Sequence, residues 1–182
     1  SMSYLESSLA RDSKQLSVDK LSQALDLTDS KETSKEEKKI LKGIVNFGNV
    51  ETRQIMCPRV DVFALESTKK ILDVINDLIA KGFSRVPVYE ENLDKIIGVL
   101  YVKDLLPHLE NDNFNWTSLL RKPLYIPENK KLDDLLTEFK TKKIHMGIVV
   151  DEYGGTSGII TLEDVIEEIF GEISGEFDEE DN

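Results

Sequence analysis

Cysteine and histidine are scarce in this sequence. Its 182 residues include one cysteine, Cys57, and two histidines, His108 and His145. A single cysteine excludes an internal disulfide, and so few sulfur and imidazole ligands argue against a metal site built from Cys and His. We therefore predict no metal centre of that kind.

Long apolar runs and excess positive charge are absent as well. No run approaches the ~20 apolar residues of a transmembrane helix, and the N-terminus lacks the pattern of a signal peptide. The 23 Lys+Arg against 35 Asp+Glu give a net charge of −12, which would repel a phosphate backbone and argues against non-specific nucleic-acid binding. The start at Ser1-Met2 resembles a cloning scar, so we expect a soluble piece of a larger protein.

What the chain does contain is 40% hydrophobic residues, enough for a packed core, and an internal repeat. Gly98 and Asp104 recur as Gly158 and Asp164 at an offset of 60 residues, which also pairs Leu72 with Leu132, Asp73 with Asp133 and Val88 with Ile148. Each copy has the pattern strand, helix, strand, strand, helix. One copy alone would bury its apolar faces poorly.

We therefore predict an α+β fold of two tandem β-α-β-β-α units, packed sheet to sheet through a pseudo-twofold that leaves two related clefts. The predicted division is a linker with a short helix over residues 1–33, the first unit with its leading helix over 34–110, the second unit over 111–173, and an acidic tail over 174–182.

The stretch from His145 to Ile173 places polar groups at the end of a strand. A turn at Gly154-Gly155 joins two strands, and the second leads into Thr161, Asp164 and a helix. A carboxylate at such a junction can accept ribose hydroxyls, and the helix N-terminus favours phosphate. The same Thr-x-x-Asp pattern is also an ordinary helix cap that needs no ligand. Both interpretations stand.

Six short motifs together resemble the tandem CBS pair of the CorC/HlyC family of magnesium and cobalt efflux or hemolysin-like proteins. They are Met56–Arg59, Ser84–Tyr89, Val102–Leu105, Val149–Gly155, Gly158–Asp164 and Glu168–Ile173. The segment Leu16–Thr28 resembles the linker of the gliding-motility member of that family. The resemblance implies a homodimer through the CBS modules, a membrane domain before this chain and a C-terminal domain after it, and a location at the cytoplasmic face of the inner membrane.

The resemblance also implies an adenine nucleotide, ATP or AMP, with Mg²⁺ held through its phosphates. Phe83 would stack on adenine, and Arg59 or Arg85 would pair with phosphate. For Arg85, a surface ion pair with a carboxylate is an equal alternative. The residues implied at the nucleotide are Thr161, Asp164, Cys57, Phe83, Ser84, Arg85, Val86, Pro87 and Ile160.

A second, weaker cleft is expected at Tyr101, Asp104 and His145, because a bulky Tyr101 replaces the hydroxyl of Thr161. The acidic edge of Glu163, Glu167, Glu168 and Glu172 is either a Mg²⁺ sensor or, as base rates favour, a solvated helix face. No nucleophile and base are paired, so we expect a regulatory module rather than an enzyme. The alternative is a dimerisation scaffold that binds no ligand.

Overall fold

The structure, a computed structural model, describes residues 35–178. These fall into two units, residues 35–50 with 167–178 and residues 51–166. Helix α1, Lys35–Asn49, belongs to the first unit. The short helix predicted within residues 1–33 and the linker resemblance at Leu16–Thr28 lie outside the described residues.

The unit 51–166 contains both repeats in the predicted order. The first repeat comprises α2 (Thr52–Ile55), β1 (Cys57–Pro58), a 3-10 turn (Arg59–Asp61), β2 (Leu65–Glu66), α3 (Ile71–Lys81), β3 (Arg85–Tyr89), β4 (Ile96–Tyr101), α4 (Val102–Leu105) and a 3-10 turn (Leu106–His108). The second comprises a 3-10 turn (Trp116–Leu119), β5 (Leu124–Pro127), α5 (Leu132–Lys142), β6 (Met146–Val150), β7 (Thr156–Thr161) and α6 (Leu162–Asp178), whose last residues belong to the other unit. The predicted α+β fold of tandem β-α-β-β-α units is confirmed.

Each repeat builds a sheet from a hairpin and one parallel strand. The first sheet has the order β2-β3-β4, and the second has the order β1-β7-β6-β5. Along the chain, strand β1 comes before the strands of the first repeat's sheet. It nevertheless pairs antiparallel with β7 of the second repeat, with Cys57 opposite Ile159. In return Arg121, which leads into the second repeat, bridges Val99 of β4. Cys57 and Arg121 are therefore equivalent positions.

Two glycines at equivalent positions permit this exchange. A Cβ atom at Gly158 would collide with the carbonyl oxygen of Cys57, and one at Gly98 would lie 2.8 Å from the Cβ of Leu120. The recurrence of glycine at an offset of 60 residues thus has a steric cause. Each sheet must admit the backbone of the other repeat's leading segment.

The offset between the repeats is not uniform. From α3 and α5 through β3 and β6 it is 61 residues, since these elements begin at Ile71 and Leu132 and at Arg85 and Met146. It becomes 60 from β4 and β7 onward, because the first hairpin's connection has six residues and the second's five. The predicted pairs Leu72–Leu132, Asp73–Asp133 and Val88–Ile148 are therefore wrong by one residue. Ile71, buried like Leu132, is its true counterpart.

Buried apolar side chains form a core in each repeat and between the two sheets. Val86, Val88, Leu100 and neighbouring apolar side chains pack with Trp116, whose indole N–H donates to the Lys69 carbonyl at 2.7 Å. Trp116 thus anchors the segment that leads into the second repeat. A second cluster joins Val99, Tyr101, Met146 and Ile159 from both sheets. Together these contacts confirm the predicted sheet-to-sheet packing.

Two local predictions differ from the structure. The alternation of residues from Val60 to Leu65 in the sequence predicts a strand there, but residues 59–61 form a 3-10 turn and only Leu65–Glu66 pairs with β3. Helix α6 continues to Asp178, so the segment predicted as an acidic tail from Ser174 is helical to that residue.

Candidate functional site

A cavity of ≈ 450 Å³, here called cleft A, lies within unit 51–166 and is lined by residues from 57–63, 82–85 and 159–164, together with Met146. Six of the predicted nucleotide residues line it: Cys57, Phe83, Ser84, Arg85, Thr161 and Asp164. The other three, Val86, Pro87 and Ile160, are buried within β3 and β7 and are not among its lining. The volume is within the range of small-molecule sites.

Thr161 and Asp164 cap the start of α6 reciprocally. The Thr161 N–H donates to Asp164 Oδ2 at 3.0 Å, and the Asp164 N–H donates to Thr161 Oγ1 at 3.2 Å. The helix-cap interpretation is therefore confirmed. It does not exclude a ligand, because a carboxylate has two oxygens and about four acceptor sites, and both residues still line cleft A.

The two cationic candidates have different positions. Arg85 lines cleft A and forms an ion pair with Glu163. Arg59 instead pairs with Asp94 and donates to the Thr156 carbonyl at 3.1 Å, and it is absent from the lining. Burial by itself would raise the pKa of Glu163, but hydrogen bonds from its own backbone N–H and from Arg85 bring that pKa below its usual value. Of the two arginines, Arg85 is the cation of the cleft.

Phe83 and Cys57 are the least polar candidates. The Phe83 ring is 49% exposed and stacks on Phe63 at a centroid distance of 5.7 Å, which leaves part of its surface open. Burial, followed by the charges of Asp61 and Asp164, raises the pKa of the Cys57 thiol. The thiol is thus neutral near pH 7.

The lining of cleft A carries more negative than positive charge. Asp61, Glu163 and Asp164 face a single guanidinium, that of Arg85. Free polyphosphate would meet net repulsion here, a metal-complexed phosphate would meet less, and an uncharged ribose would meet none.

A second cavity of ≈ 700 Å³, cleft B, lies beside the equivalent corner of the first repeat. Tyr101 and His145 line it as predicted, but Asp104 does not. Arg121 donates to both oxygens of Asp104, at 2.9 and 3.0 Å, and its guanidinium stands 3.9 Å from the centroid of the Tyr101 ring. The hydrogen bond from Arg121 holds the pKa of Asp104 below its usual value.

Arg121 is the residue that sequence reasoning missed. The strand pairing of Cys57 and the bridge of Arg121 show that the two residues occupy equivalent positions in the two repeats. The local sequence around them does not reveal this correspondence. The guanidinium of Arg121 covers both the carboxylate of Asp104 and the ring of Tyr101. The position in cleft B that corresponds to the predicted ribose contact of cleft A is therefore closed.

Residues 53–111 and 117–171 each match the CBS domain family. The chain belongs to the CBS-domain family. Its two repeats are a tandem CBS pair of the CorC/HlyC type, as the resemblance predicted.

Two curated relatives and one solved structure illustrate the similarity of this CBS pair. Hemolysin C of Brachyspira hyodysenteriae is 44% identical over 145 residues, which are 80% of this chain and 54% of that protein. The magnesium and cobalt efflux protein CorC of Escherichia coli K12 is 39% identical over 145 residues, 79% of this chain and 50% of that protein. The chain therefore spans about half the length of these relatives.

The solved structure is the CBS domain of the bacterial CNNM/CorC family Mg²⁺ transporter in complex with ATP. It is 42% identical with a TM-score of 0.70, and the match covers 75% of this chain and 98% of that one. The fold of the CBS pair is thus shared over the whole of that domain.

The acidic edge of α6 is a Mg²⁺ sensor in one of the two interpretations that the sequence allowed. Within residues 35–178, no group of three or more His, Cys, Asp or Glu side chains is arranged to hold a metal ion. Over the same residues, no helix has the length and apolar character required to cross a bilayer.

Proposed function

We propose that this CBS pair is a regulatory module that binds an adenine nucleotide in cleft A. The observation that carries the proposal is the convergence of an aromatic ring, a guanidinium, a hydroxyl and a carboxylate from two distant segments: Phe83 and Arg85 from one, Thr161 and Asp164 from the other. The similar CNNM/CorC domain in complex with ATP supports the choice of nucleotide.

Each group has a role that its surroundings permit. The open part of the Phe83 ring stacks on adenine, and Asp164 and Thr161 accept and donate to the ribose hydroxyls. Ser84 and Arg85 contact phosphate beside the N-terminus of α6, which requires Arg85 to exchange Glu163 for the phosphate. Val86, Pro87 and Ile160 act from within the strands, as the floor that positions these groups.

The negative lining favours a nucleotide of low charge. ATP complexed with Mg²⁺, or AMP, meets less repulsion from Asp61, Glu163 and Asp164 than free ATP does. We therefore propose that Mg²⁺ enters through the phosphates of the ligand rather than through a protein cage.

Regulation follows from linkage. A nucleotide shifts the equilibrium between two arrangements of a homodimer only by its different affinity for the two. In the whole protein, a membrane domain that precedes the CBS pair would respond to that shift, at the cytoplasmic face of the membrane. The Mg²⁺ transporter named in the similar structure makes an ion-transport protein the proposed context.

The test is thermal unfolding of the chain with AMP, ADP or ATP, each with and without Mg²⁺. A ligand at about 100 times its dissociation constant adds about 2.7 kcal/mol to the free energy of unfolding. Phe83→Ala should remove most of the gain, while Tyr125→Ala, which removes another half-exposed aromatic ring outside cleft A, should keep it. Equal melting with and without every nucleotide would contradict the proposal.

A second candidate is a dimerisation scaffold that binds no ligand. The complete capping box of Thr161 and Asp164 favours it, because these residues already satisfy each other. A concentration-dependent dimer that no nucleotide stabilises would support the scaffold.

A further inference from the structure

The ion pair between Arg59 and Asp94 lies outside the lining of cleft A, yet it connects the two repeats. Arg59 opens the 3-10 turn after β1, Asp94 lies in the connection between β3 and β4, and Thr156 begins β7. Arg59 Nη1 donates to Asp94 Oδ1 and, at 3.1 Å, to the Thr156 carbonyl. The Thr156 N–H donates to the same Asp94 oxygen at 3.0 Å, so the three residues form a closed ring of contacts, here called the clamp.

The backbone that receives the clamp is itself held in place. Thr156 is buried, and the Gly155 N–H before it donates to Asp151 Oδ1 at 2.8 Å. A Cβ atom at Gly155 would lie 3.3 Å from Asp94 Oδ1, so the carboxylate fits closely against the second hairpin. The hydrogen bond from Arg59, followed by that from the Thr156 N–H, lowers the pKa of Asp94. The clamp is therefore charged near pH 7.

Arg59 lies in the middle of a segment whose two ends line cleft A. Cys57 is two residues before it and Asp61 two residues after it, and both belong to the lining. Phe63 also lines the cleft and stacks on Phe83, the ring proposed to stack on adenine, at a centroid distance of 5.7 Å. A displacement of Arg59 would thus move groups on both sides of the ligand.

Regular secondary structure holds little of this segment. Residues 59–64 cross from β1, in the second sheet, to β2, in the first, as a 3-10 turn followed by three residues outside any helix or strand. Such a crossing has few backbone hydrogen bonds of its own, so side-chain contacts determine how well it is ordered. The clamp supplies such a contact to its first residue.

The equivalent clamp cannot form beside cleft B. Arg121 is the counterpart of Cys57, and the residue two positions beyond it is Pro123, which has no side-chain donor. The clamp therefore belongs to the cleft for which the nucleotide is proposed.

We propose that Arg59 is a positioning residue for the nucleotide in cleft A. Through the clamp it holds Asp61 and Phe63 in the places where the ligand meets them, so that binding does not have to order this segment. The inference rests on the proposed function and adds to it a residue that does not touch the ligand. It gives Arg59 a role different from direct contact with phosphate.

Calorimetric titration with adenosine, AMP, and ATP with Mg²⁺ separates the two roles. Arg59→Gln should weaken all three ligands by about the same factor, about fivefold to tenfold, because the segment that Arg59 positions faces the base and ribose that all three share. A loss confined to AMP and ATP, with adenosine unchanged, would make Arg59 a phosphate ligand and overturn the proposal.

Asp94→Ala tests the clamp from its other end, because Asp94 is not part of the lining of cleft A. It should weaken binding by the same factor as Arg59→Gln, and the double variant should bind no more weakly than either single variant, since both lose one contact. Glu90→Ala removes another ion pair of the same connection, and Arg53→Gln removes another exposed arginine, so both should keep affinity within about twofold. Additive losses, or wild-type affinity in Asp94→Ala, would contradict the clamp.

The single cysteine gives a measurement that needs no nucleotide. Cys57 lines cleft A, so release of the clamp should expose its thiol and raise its rate of reaction with a small disulfide reagent by at least about threefold. The increase is expected in Arg59→Gln and Asp94→Ala, whereas Arg59→Lys, which keeps the charge and a donor, should keep both rate and affinity near the wild-type values. An unchanged rate in Asp94→Ala would overturn the proposal.

Melting without nucleotide accompanies each titration. The side chains of Arg59 and Asp94 are 39% and 51% exposed, so the variants should melt close to the wild type. A large fall in melting temperature would mean that the clamp supports the fold rather than the cleft. Wild-type protein that binds none of the three ligands would contradict the proposed function and this inference together, whereas wild-type binding that Asp94→Ala leaves intact would contradict this inference alone.

Discussion

The two clefts of the CBS pair arise from equivalent corners of two repeats, yet their linings have opposite character. Cleft A presents Asp61, Glu163 and Asp164 with one arginine. Cleft B presents Lys103, Arg121 and Lys143 with an apolar wall, and it shares Arg85 with cleft A. Duplication has kept the backbone and the two glycines of the strand exchange, while side chains at matching positions have diverged.

The divergence is clearest at three matched pairs. Thr161 corresponds to Tyr101, Glu163 to Lys103, and Cys57 to Arg121. The aspartate is retained in both repeats, but its partner differs: Asp164 caps its helix through Thr161, whereas Asp104 is held by Arg121. The same residue type thus makes different contacts where its neighbours differ.

The largest expected effect is on the free energy of unfolding, and it should differ between substitutions of the two glycines at the strand exchange. Gly158→Ala should lower the free energy of unfolding by about 3 kcal/mol, because its Cβ meets the backbone carbonyl of Cys57. Gly98→Ala should cost about 1 kcal/mol, since its contacts with Leu120 and Arg121 are longer. Urea unfolding measures both.

Gly171→Ala is the matched control, because the added methyl group meets nothing within 4 Å and the residue lies inside α6. It should be neutral or stabilising by up to about 1 kcal/mol. Equal destabilisation by all three substitutions would mean that the close approach of β1 is not what requires glycine.

The next prediction compares the two aspartates. Asp164→Asn keeps an acceptor for the helix cap but removes the charge that would bind ribose, so nucleotide affinity should fall at least about tenfold. Asp104→Asn should change that affinity less than about twofold, since Arg121 already occupies its carboxylate. Calorimetric titration with AMP and with ATP and Mg²⁺ measures both, and the reverse ranking would place the nucleotide in cleft B.

A third change should make cleft B resemble cleft A. Tyr101→Thr combined with Arg121→Ser restores the hydroxyl and releases Asp104, so the nucleotide stoichiometry should rise from one to two per chain, the new site being weaker than cleft A by about tenfold. Lys122→Ser, at the exposed neighbouring position, controls for the loss of positive charge. Unchanged stoichiometry would mean that other residues close the cleft.

The smallest effect concerns pH. Asp104 has a lowered pKa in the folded state, so its pair with Arg121 contributes stability above the usual aspartate pKa of about 4, and this contribution is lost as pH falls through the lower folded value. The pair is partly exposed, so the contribution is below about 1 kcal/mol. The difference in unfolding free energy between the wild type and Asp104→Asn should therefore shrink between pH 6 and about 3, and a constant difference would contradict the assignment.

Much of this arrangement was predictable from sequence. Alternation and helical spacing gave the order of elements, and the glycine and aspartate recurrences gave the repeat. The predicted alignment of the two repeats is wrong by one residue before the hairpin connections, because these connections differ in length by one residue. The matching glycines lie after the connections and so do not reveal the difference. The segment from Val60 failed because residues 59–61 turn the chain between β1 and β2, in different sheets.

The candidate site was predictable in part. Six of nine predicted nucleotide residues line cleft A, since a family motif ties those positions together. The partners of Arg59 and Arg85 were not predictable, because Asp94 and Glu163 lie 35 and 78 residues away from them along the chain. The closure of cleft B by Arg121 was missed for the same reason.

The sequence by itself determined the repeat, the helix cap at Thr161 and Asp164, and the family, because these depend on local spacing and motifs. Only the tertiary structure decided which cleft is acidic, which is basic and which aspartate is covered. Those properties depend on side chains from both repeats, and the exchange of β1 and Arg121 between the sheets brings them together. The sign of the charge in a cleft is a sum over neighbours in space, which the order of residues along the chain does not contain.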